Sequence, residues 1–264
     1  MPELPEVEVI CRGIRPHLIG RRIAAVTGDG LPLRQPVPLA MMASELPGRK
    51  ITGVERRAKY LQFSLDSGAM LVIHLGMTGN LGIFSAGLPP RKHDHLHWLL
   101  DNATELRYHD SRRFGSVQLL CPEETGQREE TIFKTMGPEP FGRHFSAKYL
   151  HRLARGRSLA VKPFIMTNQV VTGIGNIYAN ESLFAAGIHP ARQAGSLSLG
   201  EWTRLIKEIR RVLSEAIACG GSTISDFVDA DRREGYFQIN FQVYGRSGEI
   251  CRHCRAPIES RRLG

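Results

Sequence analysis

From Arg22 to Leu120 the chain reads as short β-type runs: RIAAVTG, KITGVERRA, YLQFSLDSG, AMLVIHLG, HLHWLLDNA, TELRYHD and GSVQLLC, with turn-forming residues between them. Strands this short cannot bury a face alone. At this spacing they argue for antiparallel pairing in a sandwich or barrel. Asp66-Ser67-Gly68 and Asp101-Asn102-Ala103 suit hairpin turns. Ahead of the first run, Val7, Ile10, Ile14 and Leu18 fall at helical spacing, which predicts an N-terminal helix.

The pattern then changes. Residues 122–143 are rich in Pro, Gly and Glu and contain GPEPFG, the composition of an interdomain linker. Beyond them the period is helical, most clearly over 199–217, where Leu199, Trp202, Leu205, Ile206, Ile209, Val212, Leu213, Ala216 and Ile217 line one face. Ser198 suits the N-cap, and Gly220-Gly221 the C-terminal stop. From Tyr236 onward the chain returns to β-type alternation around Cys251 and Cys254.

Charge narrows the partner. Lys and Arg exceed Asp and Glu by 35 − 26 = +9, and the sequence pI is near 9.6. Residues 1–134 carry 17 basic and 15 acidic side chains (+2), whereas 135–264 carry 18 and 11 (+7). A chain this basic is expected to meet a polyanion, of which nucleic acid is the commonest. The plainer reading is an arginine-rich proteome, since 28 of the 35 basic residues are Arg; Arg is also the better phosphate fork. No apolar run approaches the ~20 residues of a membrane span, and MPELPEVEVI lacks the pattern of a secretory signal. Cys11, Cys121 and Cys219 stand far apart, and a reducing compartment is expected. Cys251 and Cys254 alone form a Cys-x-x-Cys pair, the spacing that grips zinc.

Several residues have chemistry to offer. Removal of Met1 would leave Pro2 with a secondary amine whose pKa is near ~8, nucleophilic at neutral pH, and Glu3 sits beside it as a proton donor. Lys59, in RRAKYLQF, opens a strand; a lysine there is ordinarily a solvated edge charge. Met77, in HLGMTG, projects from a tight glycine-flanked loop. In HDSRRFG, Arg112 and Arg113 beside Phe114 suit phosphate contact plus insertion between bases, against the alternative of a phenylalanine folded back on the core. His93, His95 and His97 alternate and on a strand would share a face; hydrogen-bonded or core histidines are expected rather than a metal triad, with His93 reaching a phosphate. In TGIGNIYANESLFAAGIHPAR, the turn at Gly173 and Gly175 leads to Asn176, read as the cap of a helix through Tyr178, Leu183 and Phe184. The turn amides and the Asn176 side chain would grasp a phosphate.

MPELPE, RRAKY, HLGMTG, RRFG, GIGNIYANESLFAAGIHP, GGST and VYGR followed by CRHC resemble bacterial formamidopyrimidine-DNA glycosylase in order and spacing, from residue 2 to about 258. The resemblance implies an α+β fold: an N-terminal antiparallel β-sandwich with a helix (1–121), a linker (122–143), a helix–two-turns–helix DNA-binding domain (144–235) and a partial zinc-finger β-hairpin (236–264). DNA would lie in the cleft between domains. It implies a bifunctional glycosylase and abasic-site lyase that removes 8-oxoguanine and formamidopyrimidines from double-stranded DNA. Pro2 would attack the sugar, Glu3 would protonate the opening ring, and Lys59 would contact phosphate and move protons. Met77, Arg112 and Phe114 would fill the gap left by the flipped nucleotide, Arg112 also meeting the orphaned cytosine. His93, Arg157, Lys162 and Asn176 would hold the backbone, and a loop of roughly 221–236 would cover the flipped purine.

Thr167 stands where many relatives are acidic. A closed zinc site needs four ligands, whereas the sequence to Gly264 supplies Cys251 and Cys254, with His253 badly placed between them. CRHCRAPIESRR is therefore read as the intact first half of a truncated zinc hairpin, without the second cysteine pair and the hairpin-tip arginine. The alternatives are an endonuclease VIII-like enzyme for oxidised pyrimidines, a lesion-binding protein without catalysis, and, last, a metal-dependent hydrolase on the three histidines. A cytoplasmic, nucleoid-associated bacterial monomer is expected.

Overall fold

The computed structural model describes residues 2–123, 132–220 and 241–263. Two compact units divide at Lys134; of the described residues the first holds 2–123 and 132–134, the second 135–220 and 241–263.

The first unit opens with helix α1 (Leu4–Leu18), whose Val7, Ile10, Ile14 and Leu18 are buried as their spacing predicts. Eight strands follow: β1 (Ile23–Gly28), β2 (Ile51–Arg57), β3 (Tyr60–Leu65), β4 (Met70–His74), β5 (Gly79–Ser85), β6 (Asp94–Leu100), β7 (Thr104–Asp110) and β8 (Ser116–Leu120). They form two antiparallel four-stranded sheets, β1-β6-β7-β5 and β2-β3-β4-β8. Leu81, Trp98 and Leu106 from one sheet share a core with Val54, Phe63 and Ile73 from the other, which makes the sandwich. The α1 helix is pinned to β2 by Glu8, which pairs at 2.7 Å with both Arg56 and Arg12.

Both expected hairpin turns form, at 66–68 and 101–103. Two elements are additional to the sequence reading. Helix α2 (Leu39–Glu45) buries Met42 against the same core, and β5 lies in a stretch whose three glycines, Gly76, Gly79 and Gly82, mask its alternation of buried residues. A correction concerns Lys59. It does not open a strand; Ala58 and Lys59 make the tight turn between β2 and β3, with Ala58 at φ +55.

In the second unit the segment GPEPFG is bonded in place. Gly137 N–H donates to Asn168 O and Thr172 N–H to Pro138 O, and Arg210 donates to the carbonyls of Pro140, Gly142 and Phe145. The helices are α3 (Ala147–Ala154), α4 (Val161–Met166), α5 (Asn176–Ala185) and α6 (Leu199–Ala218), with a 3-10 turn at Ala194–Ser196. In α6 the apolar stripe of Trp202, Leu205, Ile209 and Leu213 is buried, and Ser198 and Glu201 form the capping box at its start. Gly220, at φ +83, follows its end as expected, while Gly221 lies outside the described residues. At α5 the cap is Gly175 and not Asn176, which is the first helical residue and exposed.

The tail forms a small hairpin. Gly248 N–H donates to Ile258 O, Ile258 N–H to Glu249 O and Cys251 N–H to Ala256 O, all at 2.8 Å. Its leading residues are held by one side chain: the buried carboxylate of Glu181 on α5 accepts from the backbone N–H of Gln242, Val243 and Tyr244 at 2.8–2.9 Å.

Candidate active site

Pro2 lies immediately ahead of α1, partly buried, at the end where helical N–H groups concentrate positive charge. Glu3 is the N-cap and is buried; its N–H donates to Glu6 Oε2 at 2.8 Å in a capping box. Lys59 sits in the β2–β3 turn within electrostatic reach of both carboxylates. Burial pushes its ammonium below the ordinary lysine range, while Glu3 and Glu6 oppose that shift. The solvated edge lysine of the sequence reading is thus a half-buried one, and a base becomes available at lower pH than usual. The structure adds His74. Its ring packs on Tyr60 with centroids 4.7 Å apart, and burial beside the cationic Lys59 and Arg34 lowers its pKa to about 4.

Met77 and Phe114 are exposed, at 37% and 46%, and the Arg112 guanidinium lies 4.8 Å from the centre of the Phe114 ring. The alternative of a phenylalanine folded on the core is excluded. The two loops carrying them touch closely: Gly76 has φ +63, and a Cβ there would lie 2.4 Å from the Phe114 carbonyl carbon. Buried Asp110, at the end of β7, binds both. Its carboxylate accepts from Thr78 Oγ1 (2.5 Å), Tyr108 Oη (3.1 Å) and Gly115 N–H (2.8 Å). Thr78 Oγ1 in turn accepts from Arg112 N–H at 3.1 Å.

His93 precedes β6 in a left-handed conformation, φ +73, and its carbonyl accepts from Asp110 N–H. His95 is committed through both ring nitrogens, to Asp29 and to the Asp110 carbonyl, and His97 contacts Glu105. His95 and His97 are hydrogen-bonded histidines, as expected. Among the described residues there is no cluster of three metal-ligating side chains.

Arg157, Lys162 and Asn176 belong to the second unit. Arg157 is exposed in the α3–α4 loop, where its carbonyl accepts from Gly195 N–H. Lys162 lies in the first turn of α4, its N–H bonded to Pro190 O, and partial burial lowers its pKa. Asn176 is exposed at the N-terminus of α5 amid buried neighbours, the end suited to a phosphate.

Cys251 and Cys254 bracket the tip of the tail hairpin. The backbone N–H groups of Cys254 and His253 pull the Cys251 thiol below its usual range, and His253 N–H lies 3.4 Å from its sulfur. The His253 ring stacks edge-on against Phe184. N–H groups directed at one sulfur of a Cys-x-x-Cys turn favour thiolate, so the pair fits half of a tetrahedral zinc site. The expected lid at roughly 221–236 lies outside the described residues.

Glu6, His74, Thr78 and Asp110 escaped the sequence reading. Glu3 and Glu6 stand at capping-box spacing, a signal that was present; nothing in HDSRRFG marks Asp110 as buried.

The formamidopyrimidine-DNA glycosylase N-terminal domain matches residues 1–117, and the H2TH domain of the same enzymes matches 136–228. The chain is 50% identical over 264 residues to formamidopyrimidine-DNA glycosylase of Methylococcus capsulatus and 49% identical to that of Stutzerimonas stutzeri, covering all of this chain and 96% of each relative. A crystal structure of the Lactococcus lactis enzyme with DNA containing N7-benzyl-Fapy-dG superposes with a TM-score of 0.88 at 31% identity, over 99% of this chain and 95% of that one.

Proposed function

Because the chain belongs to the formamidopyrimidine-DNA glycosylase family, we propose that Pro2, freed of Met1, is the nucleophile of its reaction. The protein is a base-excision-repair DNA glycosylase with abasic-site lyase activity. The observation that carries the assignment is the placement of Pro2 ahead of α1, next to the Glu3–Glu6 capping box, whose two carboxylates are within electrostatic reach of half-buried Lys59.

The Pro2 nitrogen attacks C1′ of the damaged nucleotide, and the base leaves with the glycosidic electron pair. Glu3 gives a proton to the ring oxygen as the C1′–O4′ bond opens, leaving an iminium on Pro2. That cation acidifies C2′. Lys59, whose burial favours the neutral amine, takes part in the proton transfers. Loss of the 3′ phosphate by β-elimination and of the 5′ phosphate by δ-elimination breaks the strand, and water releases Pro2.

Flipping a nucleotide costs a few kcal/mol of stacking and pairing. Met77, Arg112 and Phe114 occupy the vacated space, with Arg112 donating to the orphaned cytosine. His93, Arg157, Lys162 and Asn176 hold the phosphates. The substrates are duplexes with 8-oxoguanine, formamidopyrimidines or abasic sites, met by a monomer in the bacterial nucleoid. Cys251 and Cys254 would supply two ligands of the family's structural zinc, which would stiffen the hairpin when bound.

Borohydride trapping tests the nucleophile. The wild-type protein should form a covalent adduct with lesion-bearing duplex, whereas Pro2→Gly and a protein with a blocked N-terminus should form none. An adduct of undiminished yield with the blocked protein would remove Pro2 from the mechanism. Parallel duplexes with an oxidised pyrimidine measure the endonuclease VIII-like alternative.

A further inference from the structure

We propose that Asp110 and Thr78 are positioning residues that brace Met77, Arg112 and Phe114 into one inserting unit. This rests on the reading of those three as the residues that fill the gap.

Met77 and Phe114 are large apolar side chains held out in water, where a slack loop would fold them onto the core. What prevents this is buried beneath them. Asp110 has no exposed surface, and a carboxylate so placed is tolerated only when its oxygens are hydrogen-bonded. Its three donors come from different segments: Thr78 from the β4–β5 turn, Tyr108 from β7 and Gly115 from the β7–β8 turn. Thr78 directly follows Met77, and Gly115 directly follows Phe114. The Thr78 hydroxyl also accepts the Arg112 N–H, so one side chain joins both loops.

The Asp110 backbone extends the brace. Its N–H donates to His93 O, and its carbonyl accepts from Arg113 N–H, which holds Arg113 at φ +54. Gly79, at the start of β5, is the cross-strand partner of Asp110, which fixes the register between the two loops. The loops are therefore not independent: severing one hydroxyl releases the Met77 turn and the Arg112 amide together. Pre-organisation of this kind acts on insertion into a duplex, and a strand with no partner has no gap to fill.

Thr78→Val removes the hydroxyl at constant shape, and Thr78→Ser restores it. Three readouts separate positioning from general damage. They are single-turnover excision from duplex with C or A opposite the lesion, the fluorescence of 2-aminopurine beside the lesion pair, and cleavage of an abasic site in single-stranded DNA. Loss of about one hydrogen bond's stabilisation should slow duplex excision on the order of tenfold in Thr78→Val. The preference for C over A should fall and the fluorescence rise should weaken. Single-strand cleavage, assayed well below either melting transition, should match wild type. The thermal midpoint should fall, because a buried carboxylate loses a donor, and Thr78→Ser should recover both the midpoint and the duplex reaction. Equal loss in duplex and single strand, or no loss in either, overturns the brace. Met77→Ala and Phe114→Ala run alongside. If they slow duplex excision and Thr78→Val does not, the brace fails and gap filling stands; if neither does, gap filling itself fails.

Discussion

Lys59 and His74 share one physical problem, a basic group placed where its charged form is poorly solvated. For Lys59 the nearby carboxylates of Glu3 and Glu6 oppose the shift, but for His74 burial is reinforced by the like charges of Lys59 and Arg34, and its pKa falls to about 4. The neutral ring is useful to the turn before Met77, because Nδ1 accepts from Gly76 N–H at 3.1 Å. The sign of the pH effect follows. Between about 4 and the ordinary 6.5 the unfolded chain binds a proton that the folded one does not, so stability rises with pH across that window. Acidification from pH 7 to 4 should therefore destabilise the wild-type protein by on the order of 2–3 kcal/mol through this group. In His74→Gln that part of the acid limb should flatten, read from chemical denaturation at stepped pH. An unchanged limb would mean that His74 titrates normally. None of this was legible in HLGMTG, since burial is not written in a motif.

At the scale of elements, the tail hairpin hangs on Glu181. Its carboxylate serves three consecutive N–H groups from α5, a helix whose exposed N-terminal residue is Asn176. The same helix thus carries exposed Asn176 at its N-terminus and anchors the hairpin. Glu181→Gln keeps one oxygen and turns an amide toward donors, and an unmet buried donor costs about 1–3 kcal/mol. Exchange of the amides of 242–244 should accelerate roughly tenfold or more, with α6 unaffected. Uniform acceleration across both would point to global destabilisation instead. The sequence marks α6 clearly, because its stripe repeats over five turns and Ser198 and Glu201 cap it. It hides β5 behind Gly76, Gly79 and Gly82, and it suggests Asn176 as a cap when Gly175 has the extended conformation that capping needs.

Across the whole molecule, the excess positive charge is concentrated in 135–264, at +7 against +2 for 1–134. Arg157 and Lys162 lie in that part, and each should release counterions on meeting a phosphate. Arg157→Ala and Lys162→Ala should each lower the slope of log affinity against log salt by about 0.9, with lesion preference intact. A slope unmoved by both would take them off the phosphates. No helix among the described residues is long and apolar enough to cross a membrane. Strand alternation and the α6 stripe marked the strand-rich and helical parts, and net charge the kind of partner, because periodicity and residue type act locally and can be read along a line. The order of the motifs carried the family resemblance that implied the chemistry. The capture of Asp110 by Thr78, Tyr108 and Gly115, the shifted bases at Lys59 and His74, and the hold of Glu181 on residue 242 and its neighbours were settled only by tertiary structure. Each depends on burial and on partners from other segments, and a side chain's solvation and partners exist only once the chain has closed around it.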